Sequence, residues 1–280
     1  MTARPEALSA DWLGASRRAT EELRRVLREH PTSRERVEET GTRGEGGDDT
    51  LIIDEQAEDA VFRELERLHD GGARFSALSE ERGRVDFGSD DVLVVIDPID
   101  GSMNAKRGLT HHAISIGVAA GATMADMEFG YVFDFGPEEE WVARRGQGVL
   151  LNGEPLPDPP PPRRKDGRLE LVAIESADPR WIAKCMDELV AHAHRVRAIG
   201  TIAVSLCQVA LTRVDGMATL WKTRSVDAAA AQLIVRESGG VVAFPGCESP
   251  LASALDLEPV GPVVAARTPE DLERLAAVVA

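Results

Sequence analysis

The residues best placed to do chemistry are Asp97 and Asp100, at the end of the apolar run Val92–Ile96 in "VLVVIDPIDGS". A continuous apolar run of this length suits a strand covered on both faces. The carboxyl ends of such strands are where α/β folds commonly place ligands. Pro98 fixes its own φ and biases Asp97 toward extended backbone. Gly101 lets backbone N–H groups approach a ligand closely. Between Glu81 and Lys106 the only bases are Arg82 and Arg84. Two carboxylates this close repel unless one is protonated or a cation lies between them. Oxygen donors favour Mg²⁺, Mn²⁺ or Ca²⁺ over zinc. A turn of Pro-Asp-Gly character, its acids capping a following helix, accounts for the same residues without a metal. An EF-hand does not, because its glycine and glutamate are misplaced.

Other acids are candidates to join this pair. Glu80 and Glu81 follow an apolar segment. Asp54 and Asp227 stand in the first turns of expected helices, where an acid is favourable against the helix dipole in any case. Ser102 is equally explained as a helix cap.

The elements that must position these residues follow from periodicity. Residues 9–29 read as a helix, with Trp12, Ala15, Ala19, Leu23 and Val26 at helical spacing. Residues 43–50 are a glycine-rich acidic loop, and 52–69 a second helix with Ala57, Val61, Leu65 and Leu68 on one face. "RFSALSEERG" is a short strand and a loop, and 113–119, 127–133 and 139–143 are further strands. The stretch 146–164 holds an Asn-Gly turn and a proline run, extended and exposed, which makes it the seam of the chain. Beyond it the pattern predicts a strand at 169–174, helices at 178–192 and 201–212, and a strand at 216–221. A helix follows with Ser225 as N-cap and Gly239-Gly240 as its stop, then strands in "VVAF" and "VVAA". The last helix has Thr268 as N-cap and Pro269 at its first position. Helices and strands alternate without a strict βαβ rhythm, which predicts an α+β layering with mixed and antiparallel sheets.

Bulk composition narrows the classes. The chain has 280 residues, 43% of them hydrophobic, and no apolar run near a membrane span. The first residues lack an apolar signal region, so a cytoplasmic protein is expected. Cys185, Cys207 and Cys247 are dispersed, without a C-x-x-C pair, and read as reduced thiols. The net charge of −16 argues against nucleic-acid or anionic-membrane binding. Lysine occurs only at 106, 165, 184 and 222, leaving 28 arginines among the 32 bases. Such a surface fits a halophilic, salt-adapted protein, and equally a GC-rich genome.

Taken together, five ordered blocks resemble the inositol monophosphatase family of lithium-sensitive, Mg²⁺-dependent sugar phosphatases. They are "DDTLIIDEQAE" at 48–58, "SEE" at 79–81, "DPIDGS" at 97–102, "RAIGTIAVSLCQVA" at 197–210 and "VDAAAAQLIVRESGG" at 226–240. "GYVFDF…EEEWVARRGQGVLLNG" is similar to the archaeal branch, in which one enzyme acts on inositol 1-phosphate and fructose 1,6-bisphosphate. The resemblance implies a layered αβαβα sandwich forming a single catalytic unit over 1–280, with halves at about 1–156 and 165–280, and a homodimer. It implies that Glu80, Asp97 and the carbonyl of Ile99 hold one Mg²⁺, and Asp97, Asp100 and Asp227 a second. Glu80, also counted as catalytic, helps hold a third, and Mn²⁺ is an alternative ion. Asp54 with Ser102 takes the proton of the attacking water. The N–H groups of Gly101 and Ser102, beside Asp100, bind phosphate, and Gly200, Thr201 and Arg224 face the sugar. Departures from the family pattern are Val226 for its tryptophan, Ala230 near its usual glycine and Leu220 where inositol-specific members carry glutamate. Lys222 and Arg224 beside Asp227 suit a second phosphate or another sugar. His111 and His112 read as surface or packing residues. The expected substrate is a small phosphorylated polyol or sugar. The alternatives are a 3′(2′),5′-bisphosphate nucleotidase and a non-catalytic metal-binding protein of the same fold.

Overall fold

The structure, a computed structural model, describes residues 5–31, 36, 39–43 and 49–279. A 3₁₀ turn leads to helix α1 (Trp12–Glu29), capped by Asp11, which accepts from the Gly14 N–H at 3.0 Å. Trp12, Ala15, Ala19, Leu23 and Val26 form its buried stripe, as their spacing predicts. Strands β1 (Glu39–Arg43) and β2 (Asp49–Leu51) pair antiparallel ahead of α2 (Ile52–Asp70). The loop expected over 43–50 therefore carries strand at its two ends, and its residues 44–48 lie outside the described residues. Cross-strand pairing with residue 39 onward, which no local pattern announces, makes the difference.

A seven-stranded sheet follows, in the spatial order of its sequence. Its strands are β3 (Phe75–Ser79), β4 (Gly83–Asp100), then, after the short helix α3 (Ser102–Arg107), β5 (Ala113–Ala119), β6 (Met127–Asp134), β7 (Glu139–Arg144), β8 (Val149–Leu151) and β9 (Glu154–Pro155). β4 is longer than its apolar run. Its first arm lies against β3, with Phe75 opposite Phe87 and Ser79 opposite Gly83. Its second arm pairs with the same strand, Ser76 opposite Leu93 and Ser79 opposite Ile96. The first arm is half exposed and rich in Asp, Ser and Arg, so composition hides it.

The extended proline stretch then leads to a second sheet. It comprises β10 (Arg164–Lys165), β11 (Arg168–Glu175), β12 (Ala193–Arg197), β13 (Gly216–Thr219), β14 (Val241–Ala243) and β15 (Val264–Ala266). β11 runs parallel to β12 and β13, while the remaining pairs are antiparallel. The helices of this half are α4 (Pro179–Lys184), α5 (Met186–His192), α6 (Ile202–Ala210), α7 (Ser225–Glu237) and α8 (Pro269–Val278). The single helix expected over 178–192 is thus two, meeting at Cys185, with a strand after them. Cys185 and Leu189 both pack into the core around Leu169, Ile174 and Leu275. β13 stops at Thr219, short of the expected 221. Thr268 caps α8 as expected, accepting from the Asp271 N–H at 3.2 Å. Ser225 is not the N-cap of α7. That position is Arg224, whose N–H donates to Asp227 Oδ2 at 3.3 Å, while Ser225 Oγ donates to the Asp256 carbonyl at 2.5 Å.

Three cores bind these elements into an αβαβα sandwich. Val92, Val94 and Ile96 of β4 pack with α1 and α2 on one face. Leu93 and Val95, pointing the other way, pack with α6 and α7, which lie between the sheets. The third core joins the far face of the second sheet to α5 and α8. The continuous apolar run in β4 is thereby explained, since both its faces are covered by helices.

Helix α7 lies unusually close to the first sheet. A Cβ on Gly130 would sit 2.6 Å from the Ala230 carbonyl oxygen. Gly130→Val is therefore expected to cost about 3 kcal/mol through overpacking, lowering the melting temperature by roughly 5–10 °C. An unchanged melting temperature would refute that tight seat. Among the described residues no helix is long and apolar enough to cross a membrane.

Candidate metal and phosphate site

The end of β4 is bent by a bulge. Asp97 lies opposite Ser115 and Asp100 opposite Ala113, so β4 uses one more residue than its partner. Pro98 has no N–H to give the ladder. The Ile99 N–H turns back instead and donates to Asp97 Oδ1 at 3.0 Å, while the Ile99 side chain enters the α1–α2 core. The Asx-turn and the ligand site thus use the same residues.

Asp97, only 3% exposed, is joined by Glu80 from the β3–β4 turn and Asp227 from the start of α7. One carboxylate oxygen from each lies within 4.8 Å of the others. Three segments remote in sequence therefore present hard oxygen donors to one point. The turn carrying Glu80 is held by buried Glu58, which accepts from Ser79 Oγ and from the Arg82 N–H at 3.2 Å.

Asp100 is differently engaged. Its carboxylate accepts from Thr201 Oγ1, from the Ile202 N–H at 3.3 Å and from the Ala203 N–H at 2.7 Å, at the N-terminus of α6. A carboxylate has about four lone-pair positions, so this leaves one for a cation. Gly101 is the N-cap of α3 with φ +82, and a Cβ there would lie 3.0 Å from the Gly200 carbonyl oxygen. Ser102 is the first residue of α3, next to the cap position rather than at it. Asp54 is not one of the trio, and its Oδ2 lies 3.9 Å from Lys106 Nζ on α3.

The Gly200-Thr201 turn is clamped from two sides. Glu175, at the carboxyl end of β11, accepts from the Ile199 and Gly200 N–H groups at 2.9 Å each and from Ser205 Oγ at 2.6 Å. Asn104 Nδ2 donates to the carbonyls of His111 at 2.7 Å and Ile199 at 2.8 Å. The motif reading missed Glu58, Asn104 and Glu175. The signal for Glu175 was present: like Asp97, it ends a buried apolar strand. His111 pairs with buried Asp134 at 2.7 Å. His112 stacks on Phe135, and burial pulls its pKa down to about 4. His112 is thus a buried packing residue, whereas His111 is a partly exposed partner of Asp134.

The electrostatics are those of crowded, desolvated acids. Burial, then Asp100, Glu80 and Asp227, hold Asp97 well above the carboxylate range, against the pull of Arg224. Burial and Asp227 push Asp100 up to about 8, opposed by its Thr201 and Ala203 hydrogen bonds. Burial also raises Asp227, with Arg224 opposing. One local counter-charge is Arg224, whose Nη1 lies 2.7 Å from Glu80 Oε1 and whose Nε lies 4.0 Å from Asp227 Oδ1. The donor set fits hard divalent cations, which would relieve the repulsion and satisfy the oxygens.

Comparison with known proteins shows what the chain as a whole is similar to. A model of the inositol monophosphatase family matches residues 8–280. A fructose-1,6-bisphosphatase/inositol-1-monophosphatase of Thermococcus kodakarensis is 36% identical over 197 residues, 70% of either chain. A Nus factor SuhB of Xylella fastidiosa is 31% identical over 208 residues, 71% of this chain and 70% of its own. A crystal structure of an inositol monophosphatase-fructose 1,6 bisphosphatase superposes with a TM-score of 0.79 at 23% identity, covering 96% of this chain and 99% of that one. The last similarity bears on fold alone.

Proposed function

The chain belongs to the inositol monophosphatase family and is a phosphoric monoester hydrolase, and from that premise we propose that it hydrolyses the phosphate ester of a small polyol or sugar in a divalent-metal-dependent reaction. The observation that carries this reading is the convergence of Glu80, Asp97 and Asp227 on one point. Glu80, Asp97, Asp100, Asp227 and the Ile99 carbonyl would hold two or three Mg²⁺ or Mn²⁺ ions. Such ions, when bound, lower the pKa of a water, orient the phosphate and offset charge on the leaving alkoxide.

The chain's own groups do the remaining work. Asp54 with Ser102 accepts the proton of the attacking water. Backbone N–H groups of Gly101 and Ser102 donate to phosphate oxygens. Asp100, braced by α6, keeps one oxygen directed for binding, and Gly200, Thr201 and Arg224 contact the sugar side. Burial of Asp97 and Asp100 excludes water from their carboxylates, which strengthens every charge interaction there. Leu220 stands where inositol-specific members carry glutamate, which is consistent with a substrate wider than inositol 1-phosphate. A cytoplasmic homodimer built from one catalytic unit completes the reading.

The test is phosphate release from inositol 1-phosphate, fructose 1,6-bisphosphate and an adenosine bisphosphate, with and without Mg²⁺ and Li⁺, across KCl concentrations. Mg²⁺-dependent release from the inositol or fructose ester is expected, with Li⁺ inhibiting. Release from the adenosine ester alone would replace the substrate assignment. The Nus factor SuhB relatives favour a second reading, a binding protein on the same fold. Metal binding with no phosphate release from any ester would mark it.

A further inference from the structure

We infer that Arg224 is a tethered cation that competes with a divalent ion for Glu80 and, once displaced, turns its guanidinium to the anion the site binds. The inference rests on the metal-site reading above. Arg224 Nη1 lies 2.7 Å from Glu80 Oε1 and its Nε 4.0 Å from Asp227 Oδ1. Both acids belong to the trio whose oxygens lie within 4.8 Å of one another. The guanidinium therefore occupies contact distance on the same carboxylates that a metal needs. A metal and a guanidinium on one carboxylate repel each other, so Arg224 opposes metal entry and a bound metal favours its displacement.

The geometry also limits where Arg224 can go. Its backbone N–H is anchored on Asp227 Oδ2 at 3.3 Å, at the N-cap of α7. Its side chain is only 21% exposed, so it is seated in the protein rather than loose in solvent. Displacement from Glu80 thus leaves the guanidinium beside the cluster. There its planar fork of donors matches a phosphate oxyanion. Glu80 itself does not follow, because Glu58 braces the turn that carries it. Arg224 accordingly has opposite effects on the two ligands: it weakens metal binding and strengthens phosphate binding.

The decisive experiment is calorimetry on chelator-stripped, dialysed protein, titrated first with Mn²⁺ alone and then with inorganic phosphate at saturating Mn²⁺. Arg224→Met, which keeps bulk and removes charge, is expected to bind Mn²⁺ about tenfold more tightly than the wild type and phosphate about tenfold more weakly. Arg224→Lys should fall between them. Melting curves supply the second readout: without metal Arg224→Met melts below the wild type, and with saturating Mn²⁺ the gap closes. A merely structural arginine would leave a gap that Mn²⁺ does not close. Wild-type Mn²⁺ binding that Arg224→Met leaves unchanged or weakens overturns the inference alone. Absence of Mn²⁺ binding to both proteins removes the metal-site reading and this inference with it.

Discussion

Asp97→Asn is expected to lower phosphate release by about 10³-fold or more, while the chelator-treated protein becomes more stable than the wild type. Two physical facts produce these opposite signs. Asp97 is the member of the cluster that faces Glu80, Asp100 and Asp227 together, as the sources of its raised pKa show. An asparagine there removes the anion that a metal needs, so activity collapses. It also removes a buried group that must either take up a proton or carry a charge repelled by three neighbours, which relieves the folded state by on the order of 1–2 kcal/mol without metal. The turn survives, because an asparagine Oδ1 still accepts from the Ile99 N–H now 3.0 Å from Asp97. Activity assays and paired melting curves, with and without Mn²⁺, measure both effects. Near-normal turnover in Asp97→Asn sinks the catalytic assignment, and a lower metal-free melting temperature sinks the electrostatic one.

The second large effect is a pH dependence that the metal should abolish. Burial and the neighbouring Asp227 push Asp100 up to about 8 from an ordinary value of 3.8. Burial likewise raises Asp97, Asp227, Glu58, Asp134 and Glu175. An acid with a raised folded-state pKa holds more protons when folded than when unfolded between the two values. Stability therefore falls as pH rises through that window. For Asp100 alone the loss between pH 5 and pH 8 is on the order of 4 kcal/mol. Divalent ions bind the ionised carboxylates, so their stabilisation grows with pH and offsets this loss. Chelator-treated protein should melt several degrees lower at pH 8 than at pH 5, and saturating Mg²⁺ or Mn²⁺ should flatten or reverse the trend. Parallel curves with and without metal would refute a cation role for these acids.

The residues that sequence reasoning located carry short-range signals. Asp227 is singled out only by the resemblance of its block, 226–240, to the family, whereas Asp97 and Asp100 stand out because an apolar strand ends in Asp-Pro-x-Asp-Gly. Thr268 and the buried stripe of α1 were readable for the same reason: a cap or a helical period is a property of neighbouring residues. The layered α+β class followed from the rhythm of these elements, and the family from their order. What resisted reading lies where distant segments decide. The polar first arm of β4 is strand only because β3 lies against it. The helix expected over 178–192 is two helices meeting at Cys185, and the strand that follows them exists by pairing with β11.

By itself the sequence determined which carboxylates end buried strands or open helices, and its resemblance to a family of sugar phosphatases implied the chemistry they could serve. Only the tertiary structure decided which of them meet. It gathers Glu80, Asp97 and Asp227, and turns Asp100 onto Thr201, 101 residues away. It also seats Arg224 against Glu80. The reason is physical: local propensities extend over a few residues, whereas the position of a buried charge is set by whichever remote donor or cation makes up for its lost water.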